Sequence, residues 1–261
     1  MCTCSPCFGN ENGWSKTAAA SLGRMPAPST PRAAVILLAA GEGRRVGAET
    51  NKVLLPLAGR PVFTWSLRAI GAASSTARVL VVTRPQDRST VEQAISAHLP
   101  ELDATVLEGG STRHGSEWNA LRVLAEEIEA GGIDVVSIHD AARPLAGTAL
   151  FDAVVDAARK HGGALPARDE AALIHRQDAD GRVSWRAVAV QTPQAFRAAP
   201  LLASYQQAER DGFSGTDTAS CIERYTDLRI RCVPADASNM KITFADDVAV
   251  AERLLATLRP S

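Results

Sequence analysis

From residue 33 onward the sequence predicts an α/β fold: a doubly wound, mostly parallel, Rossmann-like sheet with helices on both of its faces. Short apolar runs rich in β-branched residues alternate with segments whose apolar residues recur at helical spacing. The runs are apolar throughout, as expected of strands that are buried on both faces. With 261 residues, 46% of them hydrophobic, the chain can bury a substantial core in one large or two small domains.

The predicted elements follow one another as βαβ units. The predicted strands are Ala34–Leu38, Arg78–Thr83, Ala104–Leu107, Asp134–Ile138 and, later in the chain, Arg182–Val190. The predicted helices are Val62–Ile70, Ser89–His98 and Gly115–Ile128, and a further helix starts after Gly147 and Thr148. Ligands of such folds bind outside the carboxyl ends of the strands, so the segments that follow the strands are the candidates for a site.

Residues 1–32 differ in composition from the remaining domain at 33–261, and they are predicted to be a disordered tail. They are rich in Ser, Thr, Pro, Gly and Ala and show no helical or strand periodicity, and Met25 is an alternative start. The tail contains three cysteines, Cys2, Cys4 and Cys7. A structural zinc site needs four ligands and the nearest histidine is His98, so zinc binding is disfavoured.

The overall composition speaks against two classes of partner. The formal net charge of -1 provides no basic field for nucleic acid, and no apolar run approaches the length of a membrane span. The odd total of five cysteines fits a reducing compartment better than secretion, so we expect a cytoplasmic protein.

A glycine loop follows the first predicted strand and indicates a polyphosphate site. Gly41 and Gly43 let backbone N–H groups approach an anion, and Arg45 and Lys52 add positive charge. A reacting polyphosphate needs cations where charge builds on the leaving group. Only 4 of the 28 lysine and arginine residues are lysines, so a lysine is not expected beside this loop by chance. The alternative is a tight strand-to-helix turn with solvated arginines.

Two common glycine motifs do not fit this loop. The P-loop string of Gly, four residues, Gly and Lys-Ser/Thr is absent from the sequence. In the dinucleotide fingerprint the third glycine comes three residues after the second, whereas Gly47 comes four after Gly43. No acid follows at about twenty residues to hold a ribose, so a nicotinamide reductase is disfavoured.

The segment after the strand at Asp134–Ile138 predicts a metal ligand. Mg²⁺ takes one or two carboxylates together with substrate phosphates, and Asp140 stands at the right end of a strand to supply one. Capping of the next helix is the alternative role for Asp140. Arg143 is predicted either to bind the substrate or to form a structural ion pair. His139 is interpreted as a packing residue.

The loop Glu108–Ser116 also follows a strand and opens a helix, which suggests a second anion or nucleobase site. Its small residues let a flat base lie on the backbone, and Ser111 and Ser116 offer hydroxyls; an ordinary glycine turn with a Ser cap is the alternative. The later strings QTPQAF, TDTAS and NMKIT would each be interpreted alone as a turn or cap. Lys241, in the last of them, stands out among so few lysines.

Six strings together resemble the 2-C-methyl-D-erythritol 4-phosphate cytidylyltransferases of isoprenoid synthesis and the related ribitol-5-phosphate cytidylyltransferases. Over residues 35–255 and in chain order they are AAGEGRRV, GGSTRHGS, HDAARP, QTPQAF, TDTAS and NMKIT. The first is shared with sugar-phosphate and molybdenum-cofactor nucleotidyltransferases, and NKVLLPLAG in place of PKQFLPLAG favours those relatives. HDAARP with QTPQAF favours the cytidylyltransferases.

The resemblance implies a nucleotidyltransferase domain that uses CTP, a small polyol phosphate and Mg²⁺. The substrate's phosphate oxygen would attack the α-phosphorus in line and release pyrophosphate. The residues implied to be catalytic are Arg45, Lys52 and Lys241. Those implied to bind the nucleotide are Ala39, Ala40, Gly41, Gly43, Gly110, Ser111, Ser116, Asp140 and Ala141, with Asp140 also the metal ligand. Those implied to bind the acceptor are Arg143, Asp169, Arg182, Arg186 and Thr192.

The acceptor half departs from the family pattern. The family's threonine position holds Glu170, whose charge would oppose a phosphate, and the lysine that follows is displaced or absent. The family's phosphate-binding arginine position holds Ser184, and strand alternation would put Arg182 and Arg186 on one face beside it. The family extends this segment, about 166–192, as a β-arm for dimerisation, so the resemblance implies a homodimer.

Two rival functions stay open at this point. One is a nucleotidyltransferase for another acceptor, such as ribitol 5-phosphate or a sugar phosphate. The other is a non-catalytic paralogue that binds a nucleotide without turnover. The charged residues Arg45, Lys52, Asp140 and Lys241 count against the second, because loss of catalytic charges is the usual mark of such proteins.

Overall fold

The computed structural model describes residues 32–41, 51–169 and 188–258. The predicted tail up to residue 31 lies outside the described residues, and so does the middle of the predicted arm at 170–187.

Up to residue 161 the described strands and helices include every predicted one, with bounds that differ by at most two residues; of the predicted strand Arg182–Val190 only Val188–Val190 is described. The strands are β1 Ala33–Leu38, β2 Pro56–Leu57, β3 Arg60–Pro61, β4 Thr76–Thr83, β5 Ala104–Glu108, β6 Val135–Asp140, β7 Gly162–Asp169, β8 Val188–Val190, β9 Gln194–Arg197 and β10 Arg229–Pro234. The helices are α1 Val62–Ala72, α2 Arg88–His98, α3 Arg113–Glu129, α4 Thr148–His161, α5 Ala198–Asp211, α6 Thr218–Tyr225 and α7 Asp246–Leu258.

The main sheet confirms the predicted mostly parallel, doubly wound arrangement. Its strand order is β10-β7-β9-β6-β1-β4-β5, with β8 paired to β7. Strand β1 lies parallel to both β4 and β6, β4 is parallel to β5, and β10 is parallel to β7. Strand β9 runs antiparallel between β6 and β7. Because β9 is formed by Gln194–Arg197, the interpretation of QTPQAF as a turn or cap alone was wrong for its second half.

Helices cover both faces of the sheet, which explains why its central strands β1, β4 and β6 are mostly apolar. Along β1, Ala34 and Ile36 pack against α3, α5 and α6, while Val35 and Leu37 pack against α1 and α2. All four side chains are fully buried, and burying a Val, Leu or Ile side chain stabilises a fold by about 1.5–3 kcal/mol. No described helix is both long and apolar enough to cross a membrane.

The strand registers bring the predicted motifs to one edge of the sheet. The last residue of β1, Leu38, lies between Val82 of β4 and Asp140 of β6, and Thr83 pairs with Glu108 at the end of β5. The carboxyl ends of four parallel strands therefore meet there. Strand β6 extends two residues past its predicted end, because Asp140 still pairs with Leu38.

Candidate functional site

A cavity of about 350 Å³ opens at this carboxyl edge, where a doubly wound fold is expected to bind its ligand. It is lined by Leu38, Ala40, Gly41, Lys52, Val53, Gly110, Ser111, Thr112, Arg113, Ser116, Asp140, Ala142 and Lys241. Residues from the glycine loop, the Glu108–Ser116 loop, the end of β6 and the NMKIT segment thus share one cavity. Eight of the predicted site residues are among them: Ala40, Gly41, Lys52, Gly110, Ser111, Ser116, Asp140 and Lys241.

Asn51, where the described part of the chain resumes, is held firmly beside the cavity. The Asn51 amide donates to the carbonyl of Ala39 at 2.8 Å and to the Asp87 carboxylate at 2.9 Å, while Arg84 holds Asp87 from the other side at 2.7 Å. Burial opposes ionisation of Asp87, but the hydrogen bonds from Arg84 and Asn51 keep its pKa below the usual value. Asn51 also caps the 3₁₀ turn that starts at Lys52 and so anchors Lys52 beside the cavity.

The Glu108–Ser116 loop is shaped by its own hydroxyl groups. The N–H of Gly110 donates to Ser116 Oγ at 3.1 Å, and Ser116 Oγ donates to the carbonyl of Thr112 at 2.9 Å. Thr112, and not a serine, caps α3 by accepting from the N–H of Gly115 at 2.9 Å. A Cβ at Gly110 would lie 2.7 Å from the carbonyl carbon of Gly115, so the turn requires glycine. Ser111 is exposed at the cavity mouth.

Asp140 lies between two cations in the cavity. Its carboxylate accepts from Lys241 Nζ at 2.7 Å and from Arg113 Nη1. Burial acts to raise the pKa of Asp140, but Arg113 and Lys241 outweigh burial and hold the pKa well below its ordinary value. The N–H of Ile242 donates to the carbonyl of Ala142 at 2.8 Å, which ties the NMKIT segment to the end of β6 and brings Lys241 to Asp140.

The sequence reasoning missed Arg113 as a cavity residue. Arg113 is the first residue of α3, where the helix dipole disfavours a cation. A basic residue at that position therefore needs acidic partners from elsewhere, and this is the signal that could have found it. Glu117 supplies one such partner at 3.1 Å from Arg113 Nε, and Asp140 supplies the other.

Thr192 and Arg143, predicted to bind the acceptor, contact other parts of the protein and not the cavity. Thr192 is buried, and its hydroxyl accepts from the N–H of Asp140 at 3.0 Å and lies 3.1 Å from His139 Nδ1. Arg143 Nη1 donates to the carbonyl of Asn239 at 2.7 Å. Both residues therefore support the loops that carry Asp140 and Lys241.

Several other predicted residues do not themselves line the cavity, or lie outside the described residues. Ala39 and Ala141 are fully buried, and their N–H groups donate to Val82 and Leu38. Asp169 ends β7, where its backbone pairs with Val188. Gly43, Arg45, Arg182 and Arg186 fall outside the described residues.

The donor set at Asp140 is compatible with one Mg²⁺ shared with a ligand. A carboxylate offers about four lone-pair positions, and Arg113 and Lys241 occupy one on each oxygen. Within residues 32–41, 51–169 and 188–258, no three His, Cys, Asp or Glu side chains converge as a metal site. Asp236, which would be the next candidate if Asp140 were not the ligand, is exposed and accepts from the N–H of Ser238 at 2.7 Å. Phosphate oxygens would therefore have to complete the coordination.

We expect His139 to make stability depend on pH. Complete burial lowers the pKa of His139 to about 4, and its two ring nitrogens lie 3.1 Å from Thr192 Oγ1 and the carbonyl of Arg143. Because the unfolded state takes up the proton near pH 6.5 and the folded state does not, stability is lost as pH falls from about 6.5 to 4. The loss from this residue amounts to about 3 kcal/mol.

Urea unfolding at several pH values in EDTA tests this expectation. The His139→Asn variant should show a shallower loss of unfolding free energy than the original protein between pH 6.5 and 4. If the unfolding free energy of the two proteins fell equally steeply with pH, His139 would have an ordinary pKa in the folded state and the expectation would be wrong.

Comparisons with known proteins agree with the geometry. A family model for 2-C-methyl-D-erythritol 4-phosphate cytidylyltransferase matches residues 33–257. The cytidylyltransferase of that name from Geobacillus kaustophilus is 34% identical over 229 residues, covering 85% of this chain and 96% of the relative. The one from Parasynechococcus marenigrum is 38% identical over 231 residues, covering 85% of this chain and 97% of the relative.

Solved structures show the same fold. The 2-C-methyl-D-erythritol 4-phosphate cytidylyltransferase of Thermus thermophilus superposes with a TM-score of 0.61 at 30% identity and covers 85% of this chain and 98% of its own. The 4-diphosphocytidyl-2C-methyl-D-erythritol synthase of Anaerococcus prevotii superposes with a TM-score of 0.72 at 24% identity, covering 87% and 96%.

Proposed function

The chain belongs to the 2-C-methyl-D-erythritol 4-phosphate cytidylyltransferase family, and we propose on that basis that it transfers CMP from CTP to a polyol phosphate with release of pyrophosphate. The acceptor we propose is 2-C-methyl-D-erythritol 4-phosphate, the substrate in the names of these relatives. This activity would place the enzyme in isoprenoid precursor synthesis.

One observation carries the proposal: among the residues that the structure describes, three cationic side chains and one carboxylate line the same cavity. Lys52, Arg113 and Lys241 line this cavity with Asp140, and the backbone of Gly41 lies at its edge. Cations that surround an anionic ligand stabilise the negative charge that develops during phosphoryl transfer. The described part of the cavity therefore suits a triphosphate better than a neutral ligand.

The proposed reaction needs no general base. An oxygen of the acceptor phosphate is already anionic, and its lone pair attacks the α-phosphorus of CTP. The bond from the α-phosphorus to the bridging oxygen breaks, and its electron pair leaves with pyrophosphate. Lys52 and Lys241 would neutralise the charge that builds on the leaving group, and the cavity would align the two phosphates.

The Glu108–Ser116 loop is proposed to hold the cytosine. Ser116 keeps the loop in shape through the N–H of Gly110, so Gly110 and Ser111 can present backbone groups to the edge of a base. The loop packs closely on the glycine loop, since a Cβ at Gly109 would lie 2.6 Å from Ala40 Cβ. Base and triphosphate sites would thus be held at a constant separation.

We propose Mg²⁺ as the cofactor, with Asp140 as its protein ligand. When bound, the ion would neutralise phosphate charge and hold the triphosphate in a reactive geometry. Asp140 is kept ionised by Arg113 and Lys241, so it is ready to bind a cation at neutral pH. Lys241, whose side chain is 42% exposed, would be free to turn from Asp140 toward the phosphates.

A homodimer and a cytoplasmic location are further proposals. Strands β7 and β8 form an antiparallel pair in which Ala167 lies opposite Val190, as expected for the base of a β-arm. Val190 is about half exposed at this base, at 47%. The dimer would bring the arm's Arg182 and Arg186 to an acceptor phosphate. Cysteine usage supports the cytoplasm, where thiols stay reduced.

Pyrophosphate release, measured across a panel of nucleoside triphosphates and polyol phosphates, tests the proposed function. We expect turnover only when CTP, Mg²⁺ and a polyol phosphate are all present, with 2-C-methyl-D-erythritol 4-phosphate as the best acceptor. Preference for ribitol 5-phosphate or a sugar phosphate would identify a different acceptor and leave the proposed reaction class unchanged. Binding of CTP with no turnover of any acceptor would identify a non-catalytic paralogue and refute the proposal.

A further inference from the structure

Glu117 is a carboxylate buried beneath the cavity, and neither the motifs nor the comparisons give it a role. It lies one turn after Arg113 on α3, and its side chain is 1% exposed. Carboxylates are almost never fully buried unless they are paired. Its burial therefore indicates a specific set of partners.

The partners of Glu117 come from three helices. Thr218 of α6 donates its hydroxyl to Glu117 Oε1 at 2.9 Å, and the hydroxyl of Tyr205 on α5 donates to Oε2. Arg113 Nε lies 3.1 Å from Oε1, at an angle that makes the contact an ion pair and not an aligned hydrogen bond. Tyr205 is itself held by stacking on His114, with ring centroids 4.5 Å apart. Both carboxylate oxygens are thus fixed in position.

We propose that Glu117 is a positioning residue that holds the Arg113 guanidinium in place for CTP. This inference rests on the proposed function and extends it to a residue that lies behind the cavity and does not line it. Glu117 would act on the nucleotide only through Arg113. Tyr205 and Thr218 would keep the Glu117 carboxylate in place.

The reason lies in the two carboxylates that contact Arg113. Asp140 contacts it at the cavity surface and Glu117 contacts it from the interior. If Mg²⁺ and phosphates take over Asp140, Glu117 is left as the charged partner of Arg113. A planar guanidinium that keeps an interior anchor can stay oriented toward the nucleotide, and an orientation fixed before binding reduces the entropy lost on binding.

The charges around Glu117 fit this role. The pKa of Glu117 is raised overall, because burial, with a further contribution from Asp140, outweighs the lowering by Arg113 and by the hydroxyls of Tyr205 and Thr218. The thiol of Cys221 on α6 also faces this charge, and burial together with Glu117 raises its pKa to about 12. Arg113 is the one cation among these groups, so the two side chains depend on each other.

The Glu117→Gln variant tests the inference by calorimetric titration of the full chain with CTP and MgCl₂. Glutamine keeps the shape of the side chain and an acceptor oxygen but removes the charge that faces Arg113. We expect the Kd for CTP to rise about tenfold. The matched control is Glu126→Gln, the same change at an exposed position of α3, which should leave the Kd unchanged.

A double-mutant cycle with Arg113→Met separates positioning from a general structural effect. If Glu117 acts through Arg113, adding Glu117→Gln to Arg113→Met should change the Kd by less than about twofold. A tenfold rise in both backgrounds, or no rise in either, would overturn the inference.

Tyr205→Phe provides a second route if Glu117→Gln fails to fold. It removes one donor to Glu117 and keeps the ring that stacks on His114, so we expect about a two- to threefold rise in Kd that disappears in the Arg113→Met background. An unchanged Kd, or a rise that persists without Arg113, would count against the inference. Failure of the original protein to bind CTP would instead refute the proposed function, so the two failures are distinguishable.

Discussion

Replacing Lys52 with alanine is expected to lower kcat by about 10²-fold or more while changing the affinity for CTP much less. Lys52 lines the cavity, and it starts a 3₁₀ turn that Asn51 caps and anchors. A cation held there before the reaction would meet the charge that develops on the α-phosphorus and on the leaving pyrophosphate. That charge is larger in the transition state than in bound CTP. Loss of the Lys52 cation should therefore lower kcat more than it lowers the affinity for CTP.

Steady-state pyrophosphate release together with CTP titration measures this effect. Lys160→Ala is the matched control, since Lys160 is exposed near the end of α4 and away from the cavity. A variant that loses CTP binding and keeps kcat would show that Lys52 binds ground state and transition state equally. Arg45, the second cation of the same loop, is predicted to behave as Lys52 does.

The second large effect is expected at Asp140. Asp140→Asn keeps the shape of the side chain and removes its charge, so the Mg²⁺ concentration for half-maximal rate should rise about tenfold or more. Arg113 and Lys241 would also lose the anion between them. Because Lys241 is 42% exposed, solvent screens its ion pair with Asp140. We therefore expect Asp140→Asn to lower the free energy of unfolding by about 1–3 kcal/mol.

Rate measurements across a series of Mg²⁺ concentrations, with urea unfolding of the same samples, check both effects. Asp236→Asn is the comparison, since Asp236 is the other candidate ligand and its carboxylate accepts from the N–H of Ser238 in a surface turn. We expect Asp236→Asn to leave the Mg²⁺ dependence unchanged. An altered dependence in that variant, with none in Asp140→Asn, would move the metal ligand to Asp236.

Much of the fold could be predicted because the relevant signals are local. Apolar runs without alternation indicated strands buried on both faces, and β1, β6 and the second half of β4 are such strands, whereas β5 lies at the edge of the sheet with Val106 as its buried residue. Strand β9 escaped prediction because it has four residues and runs antiparallel between two longer strands. A strand of four residues is stabilised mainly by the strands that it pairs with. Its own sequence does not show which strands those are.

The site was only partly predictable, for a related reason. The cavity contains the loops that follow β1, β5 and β6, as their place after strands indicated. Arg113 was missed because its partner Asp140 lies 27 residues away, and Glu117 was missed because Tyr205 lies 88 residues away. Thr192 supports the backbone of Asp140 from 52 residues away, and its contact with the acceptor stays a prediction.

Local pattern in the chain was thus sufficient for the fold class, the family and the loops that form the cavity, since each depends on residue types at short spacing. The folded structure alone decided which distant groups meet: Asp140 with Arg113 and Lys241, and Glu117 with Tyr205 and Thr218. Such pairs depend on strand register and on how loops pack at the edge of the sheet. Ion pairs act over a few ångströms in space, and that distance bears no relation to separation along the chain.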